Sequence, residues 1–475
     1  TLTHRGPDDS GAWADPAAGI ALGHRRLSII DLSAAGHQPM LSASGRFVVS
    51  YNGEIYNHGD LREELESQGV AFRGHSDTEV IVEGFARWGI PETLARLIGM
   101  FALAVWDRET RNLTLIRDRL GIKPLYWGQF GGTFVFGSEL RAIRAHPRAE
   151  TTINRAAVAD LVRYGYVTGS HSIYNEVQRV SPGSMLTITV EGAKTTSRYW
   201  TAHAVAPETD EAPEAARERI ESLLGDAVKR RMVADVPLGA FLSGGVDSSA
   251  VTALMQSQSS RPIKTFTVGF GQQDYDEAAH AREVSNHLGT DHTEIRFDAD
   301  EGAALIPRLP EMYDEPFADS SQIPTFLVSR LARQDVVVAL SGDGGDELFA
   351  GYNRYIWGER LRHGLMWIPA LARRGLSGAV CSMPPSAWDK FFSVVPHSRR
   401  PPQPGSKMHK MAHLLATPDR EALYRNLVSQ WHQPSDIVLE GTELPTAMDD
   451  NSLSQKIPDY IAWMQLMDMR GYLPD

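Results

Sequence analysis

The stretch Leu242-Ser243-Gly244-Gly245-Val246-Asp247-Ser248-Ser249 constrains this chain more than any other feature. It follows an apolar run (Val236, Pro237, Leu238, Phe241, Leu242) and opens a helical pattern over 250–255. Adjacent glycines let the backbone turn tightly and aim successive N–H groups into one concavity. Ser243, Ser248 and Ser249 add hydroxyl donors at the positive end of the helix. The result is a cradle for an oxyanion such as pyrophosphate. No Gly-Lys-Ser/Thr ending follows, so γ-phosphoryl transfer is not the expected chemistry. Asp247 stands where a carboxylate can hold Mg²⁺ against the phosphates. The plainer alternative is a Gly-Gly turn whose serines merely cap a helix. A second loop bears on that choice: Leu340-Ser341-Gly342-Asp343-Gly344-Gly345-Asp346-Glu347-Leu348-Phe349-Ala350-Gly351-Tyr352, after the apolar run 336–340. Two strand–glycine-loop–helix units put both loops at the carboxyl ends of parallel strands, where open α/β sheets bind ligands. Coincidence becomes the weaker reading.

A chain of 475 residues exceeds one ordinary core, and the composition shifts at 201–213, rich in Ala, Pro and acid. Before that segment lie β-rich runs at 46–51, 100–106, 113–117, 133–137 and 185–190. Turn signals such as Asn52-Gly53, Gly131-Gly132 and Pro182-Gly183 punctuate them. Helical patterns occupy 60–68 and 78–88. After it, Pro213-Glu214 starts a helix expected to gather Ile220, Leu223, Leu224, Ala227 and Val228 on one apolar face. Strands at Phe241, 265–270, 292–297 and 336–340 then alternate with helices, which implies a parallel sheet covered on both faces. Beyond about 360 the pattern is helical, with proline-rich breaks at 383–385 and 400–404.

Charge and cysteine usage exclude several classes. Asp+Glu 59 against Lys+Arg 47 leaves a net charge of −12, which argues against a nucleic-acid surface. No apolar run is long enough to span a bilayer and no signal-peptide pattern opens the chain, so a cytoplasmic location is the default expectation. The one cysteine, Cys381, excludes an internal disulfide and a cysteine-based zinc site.

The two loops are accompanied by further motifs. These are His4-Arg5-Gly6-Pro7-Asp8, Arg26-Leu27-Ser28-Ile29, Tyr51-Asn52-Gly53-Glu54-Ile55-Tyr56-Asn57, Ser76-Asp77-Thr78-Glu79, Arg117-Asp118-Arg119 and Gly121-Ile122-Lys123-Pro124-Leu125-Tyr126. Taken in order from residue 4 to about 355, the set resembles the glutamine-hydrolysing asparagine synthetases. The match weakens after about 360 until Gly471-Tyr472-Leu473-Pro474-Asp475. The resemblance implies an N-terminal-nucleophile αββα glutaminase sandwich over 1–200 and a linker at 201–213. A parallel-sheet α/β ATP-pyrophosphatase domain is expected over 214–475. The family's nucleophilic cysteine has no counterpart here. His4 to Asp8 match the family's interior rather than its start, so a fragment lacking both ends is expected.

The same resemblance implies roles for single residues. The Asn52 amide and the Gly53 N–H would donate to the oxyanion formed on glutamine. Arg26 would hold the glutamine α-carboxylate, and Glu54 and Asp77 its α-ammonium. The plain alternatives are a hairpin turn at Asn52-Gly53 and surface ion pairs for Arg26 and Asp77. In the second half, the aspartate β-carboxylate would attack the α-phosphorus of ATP. Pyrophosphate would leave, and ammonia would open β-aspartyl-AMP to asparagine and AMP. Leu242, Ser243, Gly244, Gly245, Asp247, Ser248, Ser249, Val268, Ser341 and Gly342 resemble the family's nucleotide contacts. Asp247 and Asp346 are the Mg²⁺ candidates. Asp343 stands where the family usually has a glutamate, a departure that shortens its reach by about one methylene.

Asp314, Glu315, Asp319, Ser320 and Ser321 either line the substrate side or form a solvated helix N-terminus. A dry ammonia passage lined by Ala, Met, Leu and Val is expected at the domain interface. The expected partners are the substrates glutamine, aspartate and ATP, with no nucleic acid or membrane and with a homodimer as the assembly considered. The alternatives are amidation of another carboxylate in a polysaccharide or peptide, a β-lactam synthetase-like ring closure, and a non-catalytic relic.

Overall fold

A computed structural model describes residues 1–204, 211–270, 277–366, 368–394, 404–415, 417 and 419–474. Residues 205–210 of the expected linker, 400–403 of the second proline-rich break, and Asp475 lie outside the described residues. The chain gathers into two compact units. The first holds Thr1–Asn154, Gly169–Gly344 and Pro474, and the second holds Arg155–Thr168 and Gly345–Leu473.

In the first unit, a six-stranded antiparallel sheet runs in the order Lys194–Arg198, Ser184–Thr189, Asn112–Arg117, Gly99–Asp107, Phe47–Ile55, Met40–Leu41. Period-two alternation along Phe47–Ile55 decides its two faces. Phe47, Val49, Tyr51 and Ile55 pack with Leu61, Leu65, Val80, Ile81 and Phe85 from helices His58–Ser67 and Asp77–Trp88. Val48 joins Leu22, Ala102, Ala104, Trp106 and Leu115 on the opposite face. That face meets two smaller antiparallel sheets: Asp9–Asp15 with Ile20–Arg26, and Thr133–Gly137, Tyr126–Phe130, Val177–Arg179. The short helix Leu140–Arg144 packs on the second of these through Leu140 and Ile143. The layering is helix, sheet, sheet, helix, as expected.

The same unit carries a fully parallel four-stranded sheet in the order Asp291–Phe297, Lys264–Phe270, Leu238–Phe241, Val338–Leu340. Alternation again assigns the faces. Ala240 packs with Val228, Met255 and Leu340 under helices Pro213–Arg231 and Val246–Ser257, while Phe241 and Phe266 pack with Leu331 of Gln322–Ala332. Of the apolar positions on Pro213–Arg231 only Val228 is buried, and Ile220 and Leu223 are 41% and 60% exposed. Amphipathic spacing marks a face, but only the last turn of this helix reaches the sheet.

The second unit is helical, built from Arg155–Tyr164, Gly345–Phe349, Asn353–Met366, Ala370–Cys381, Pro385–Phe391, Pro404–Leu415, Arg420–Val428, Asn451–Lys456 and Tyr460–Arg470. The proline-rich break at 383–385 separates two of these, as expected. Tyr355, Tyr424, Tyr460, Trp463 and Met464 are fully buried in its core. Asp468 sits among them and accepts from Arg354 Nε and Nη2 at 3.1 and 2.7 Å and from the Tyr355 hydroxyl at 2.5 Å. Removing a buried partner strands the opposite charge. Asp468→Ala is therefore expected to lower unfolding free energy by about 3–5 kcal/mol in urea titration. A loss below about 1 kcal/mol would mean that the cluster is solvated. Among the described residues, no helix is long and apolar enough to cross a membrane.

Candidate functional site

Between the six-stranded sheet and the two smaller sheets lies a cavity of about 1110 Å³. Asn52, Gly53 and Glu54 of Phe47–Ile55 line it, with Met100 and Ala102 beside them and Arg26 and Lys123 across from them. Asn52 and Gly53 sit inside a strand, paired with Ala102 and Phe101, so the hairpin alternative falls. The neighbouring strand Gly99–Asp107 runs alongside throughout and holds the dipeptide extended. Glycine is required at 53 by close approach: a Cβ there would lie 2.1 Å from the Met100 carbonyl oxygen. The Asn52 side-chain Nδ2 is buried with no protein hydrogen-bond partner. Leaving a buried donor unmatched costs about 1–3 kcal/mol, so the fold holds it at a price that a ligand oxygen would relieve.

The acidic residues are buried too. Glu54 is 6% exposed, and burial, then the Asp77 charge, push its carboxyl up to about 7 against the pull of Lys123 and Arg231. Burial also raises Asp77, opposed by bonds from the Ile55 N–H at 3.0 Å and the Tyr51 hydroxyl at 2.7 Å. Asp77 occupies the first turn of Asp77–Trp88, whose N-cap Ser76 accepts from the Glu79 N–H. Arg26 is buried as well, and its guanidinium donates to the carbonyls of Ile30, Asp31 and Ser33 at 3.2, 2.5 and 3.3 Å. A carboxylate ligand would share Arg26 with those carbonyls. Neither Arg26 nor Asp77 is a surface ion pair, which removes that alternative.

Two cavity residues received no role from the sequence. Burial, then Arg5, lowers the Lys123 amine, and burial, then Arg26, pushes the His24 ring down to about 4. The only sequence signal for Lys123 was its place in Gly121-Ile122-Lys123-Pro124.

The two glycine loops come together within the first unit. Leu238–Phe241 and Val338–Leu340 are adjacent parallel strands, and each leads into its loop. A Cβ on Gly342 would lie 2.9 Å from the Ser248 nitrogen and 3.0 Å from Asp247 Cβ, so the second loop packs on the head of Val246–Ser257. Gly244 adopts φ +79°, and a Cβ there would meet the Ala281 nitrogen at 2.6 Å. The N-cap of Val246–Ser257 is Gly245 and no side chain caps it, so the serines are not capping residues. They bond within the loop instead: Ser248 Oγ accepts from the Ser243 N–H at 3.2 Å and lies 2.9 Å from Ser243 Oγ. Ser249 Oγ is buried without a partner. Leu242 is buried, its N–H donating to the Phe266 carbonyl at 3.0 Å, and Val268 packs against Phe297 and Leu327. Ser341 Oγ donates to Asp343 at 2.8 Å. Asp346 belongs to the second unit, where its Oδ1 lies 2.0 Å from the place a Cβ on Gly351 would take.

Among the described residues, no group of three or more His, Cys, Asp or Glu side chains is arranged to hold a metal ion. One or two carboxylates beside an oxyanion cradle instead fit a cation that arrives with phosphates, the usual manner of Mg²⁺.

In the acidic turn before Gln322–Ala332, Asp314 and Glu315 differ from either expectation, while Asp319 and Ser321 form the helix N-terminus. Asp314 accepts from Arg141 Nε at 3.1 Å and from the Leu140 and Arg141 N–H groups. Glu315 accepts from the Ile173 N–H and Arg179 Nη2, both at 2.7 Å, and from the Tyr126 hydroxyl at 3.0 Å. Both carboxylates are therefore committed to protein partners. Asp319 accepts from the Ser321 N–H at 2.7 Å, a local turn ahead of the helix.

Comparison with known proteins adds two family matches. Residues 1–200 match the model described as a glutamine amidotransferase domain, and residues 219–475 the model described as asparagine synthase. The putative asparagine synthetase (glutamine-hydrolyzing) of Mycobacterium tuberculosis (strain ATCC 25618 / H37Rv) is 39% identical over 367 residues, covering 74% of this chain and 56% of that protein. Asparagine synthetase (glutamine-hydrolyzing) 1 of Bacillus subtilis (strain 168) is 36% identical, over 74% of this chain and 55% of that protein. The putative asparagine synthetase (glutamine-hydrolyzing) 2 of Methanocaldococcus jannaschii is 36% identical, over 76% of this chain and 72% of that protein. The chain spans a little over half the length of the first two.

Proposed function

Because this chain belongs to the glutamine-hydrolysing asparagine synthetase family, we propose that it carries the machinery for ATP-dependent amidation of aspartate with glutamine-derived ammonia. Residues 1–200 form the glutaminase half and 214–475 the synthetase half. The observation that carries this reading is the convergence of Gly342 on Ser248 and Asp247, which makes one anion cradle from two loops.

In the synthetase half, the aspartate β-carboxylate attacks the α-phosphorus, the bond to the bridging oxygen breaks, and pyrophosphate leaves. Backbone N–H groups of 243–245 and the hydroxyls of Ser243, Ser248 and Ser249 take up the charge that builds on the departing group. The inter-serine bonds give way to the anion. Leu242, Val268, Ser341 and Gly342 contact the nucleotide, and Asp343 aids acyl-adenylate formation. Asp247 would hold Mg²⁺, which would supply charge neutralisation on the leaving group. In the glutaminase half, Asn52 Nδ2 and the Gly53 N–H stabilise the oxyanion, while Arg26, Glu54 and Asp77 grip the zwitterion.

The direct test is pyrophosphate release from ATP with ammonia and a panel of carboxylates. Aspartate alone is expected to stimulate release. Stimulation by a different acid would leave acyl-adenylation standing and remove asparagine synthesis.

A further inference from the structure

Arg141 lies between two carboxylates that belong to different parts of the first unit. Its Nε is 2.8 Å from Glu139 Oε2 and 3.1 Å from Asp314 Oδ1, and its Nη2 donates to the Glu311 carbonyl at 3.0 Å. Glu139 is itself shared. Its Oε1 accepts from His4 Nε2 and Arg5 Nη1, both at 3.0 Å, and its side chain is 7% exposed. Arg5 lines the cavity that holds Asn52 and Glu54. On the other side, Asp314 opens the turn 313–321 that leads into Gln322–Ala332. That helix packs through Leu331 on Phe266, whose strand neighbours the one feeding the first glycine loop. Glu315, one residue on, is clamped by Arg179 with 5% and 10% side-chain exposure.

The two anchors differ in kind. Glu315 is held by three protein donors at once, Ile173 N–H, Arg179 and the Tyr126 hydroxyl, and acts as a fixed pivot. The Arg5–Glu139–Arg141–Asp314 chain is built from shared partners, so a displacement of Arg5 redistributes the Arg141 contacts rather than breaking one bond outright. Packed networks with shared ion pairs carry coupling between sites where both sites bias the same element.

We propose that Arg141 is a positioning residue that transmits occupancy of the glutamine cavity, through Glu139 and Asp314, to the turn 313–321 that leads into Gln322–Ala332. This rests on the function proposed above. It makes ammonia production and acyl-adenylate formation mutually responsive without Arg141 touching either substrate.

The test compares, in full-length protein that hydrolyses glutamine, wild type with Arg141→Met, which keeps the aliphatic volume, and with the milder Arg141→Lys. Glutamate formed per pyrophosphate released is measured beside ammonia-driven pyrophosphate release. Hydrogen–deuterium exchange over 313–321 is followed with and without glutamine. In Arg141→Met the glutamate-to-pyrophosphate ratio is expected to rise at least about 5-fold, the low end of ordinary allosteric coupling, with ammonia-driven release within about twofold of wild type. Arg141→Lys falls between. Glutamine is expected to slow exchange over 313–321 in wild type and not in Arg141→Met. An unchanged ratio, or a parallel fall in ammonia-driven release, overturns the inference, because a merely structural anchor would impair both routes alike. If wild type releases no pyrophosphate yet glutamine still protects 313–321, the proposed function fails and the relay stands. If release occurs and glutamine leaves 313–321 unaltered, the relay fails alone.

Discussion

The double change Asp247→Asn, Ser248→Ala is expected, in full-length protein that hydrolyses glutamine, to reduce pyrophosphate release by about 10³-fold or more while leaving glutamine hydrolysis within about twofold. Ser248 contributes twice to the cradle. Its N–H lies against Gly342, and its hydroxyl both accepts from the Ser243 N–H and stands beside Ser243 Oγ. Removing one preorganised donor aimed at developing charge costs about 10²–10³ in rate, and Asp247→Asn removes the adjoining carboxylate as well. The glutamine cavity shares no residue with this loop, which is why the other half-reaction is spared. Assaying both activities on one preparation decides the matter. Joint loss would mean that the loop is a folding element rather than a leaving-group site.

A second large effect concerns Glu54, where function and stability are expected to part. Its carboxyl is pushed from the usual 4.5 up to about 7, chiefly by burial. Between those values the folded protein keeps a proton that the unfolded chain has lost. Stability therefore falls as pH rises through this window, and the full cost is felt above about 7. The shift corresponds to an upper bound of roughly 3 kcal/mol. Glu54→Gln is expected to raise the melting temperature at pH 8 and to leave it nearly unchanged at pH 4.5. The same substitution removes a ligand for the glutamine ammonium. In full-length wild type that hydrolyses glutamine, kcat/KM for glutamine is expected to fall about tenfold per pH unit below about 7, since the carboxylate form is the one that binds. In Glu54→Gln that limb should flatten at a low value. A melting temperature that drops at pH 8, or an unaltered pH limb, would contradict the assignment.

Several features were legible because their chemistry is contiguous along the chain. The glycine loops, the parallel character of the second sheet and the strand positions 133–137 and 265–270 follow from local runs of apolar, glycine and hydroxyl residues. Asn52-Gly53 was ambiguous for the opposite reason. The dipeptide is the strongest short-range hairpin signal, and only pairing with Ala102 and Phe101 reveals it as mid-strand. The apolar positions of Pro213–Arg231 read as one face, but how much of it is buried depends on a partner surface that the spacing does not specify. Asp314 and Glu315 read as a solvated acidic turn or a substrate wall. Their partners lie 173 and 136 residues away, at Arg141 and Arg179, beyond any local pattern.

The order of residues by itself determined which segments can turn, bind an oxyanion or alternate across a sheet, because those properties depend on neighbours a few positions apart. Tertiary structure alone decided that Gly342 meets Ser248, that Asn52 Nδ2 is held without a protein partner, and that Glu54 shares a cavity with Lys123. Desolvation and close approach are properties of packed space, and they arise only once distant strands have been brought together.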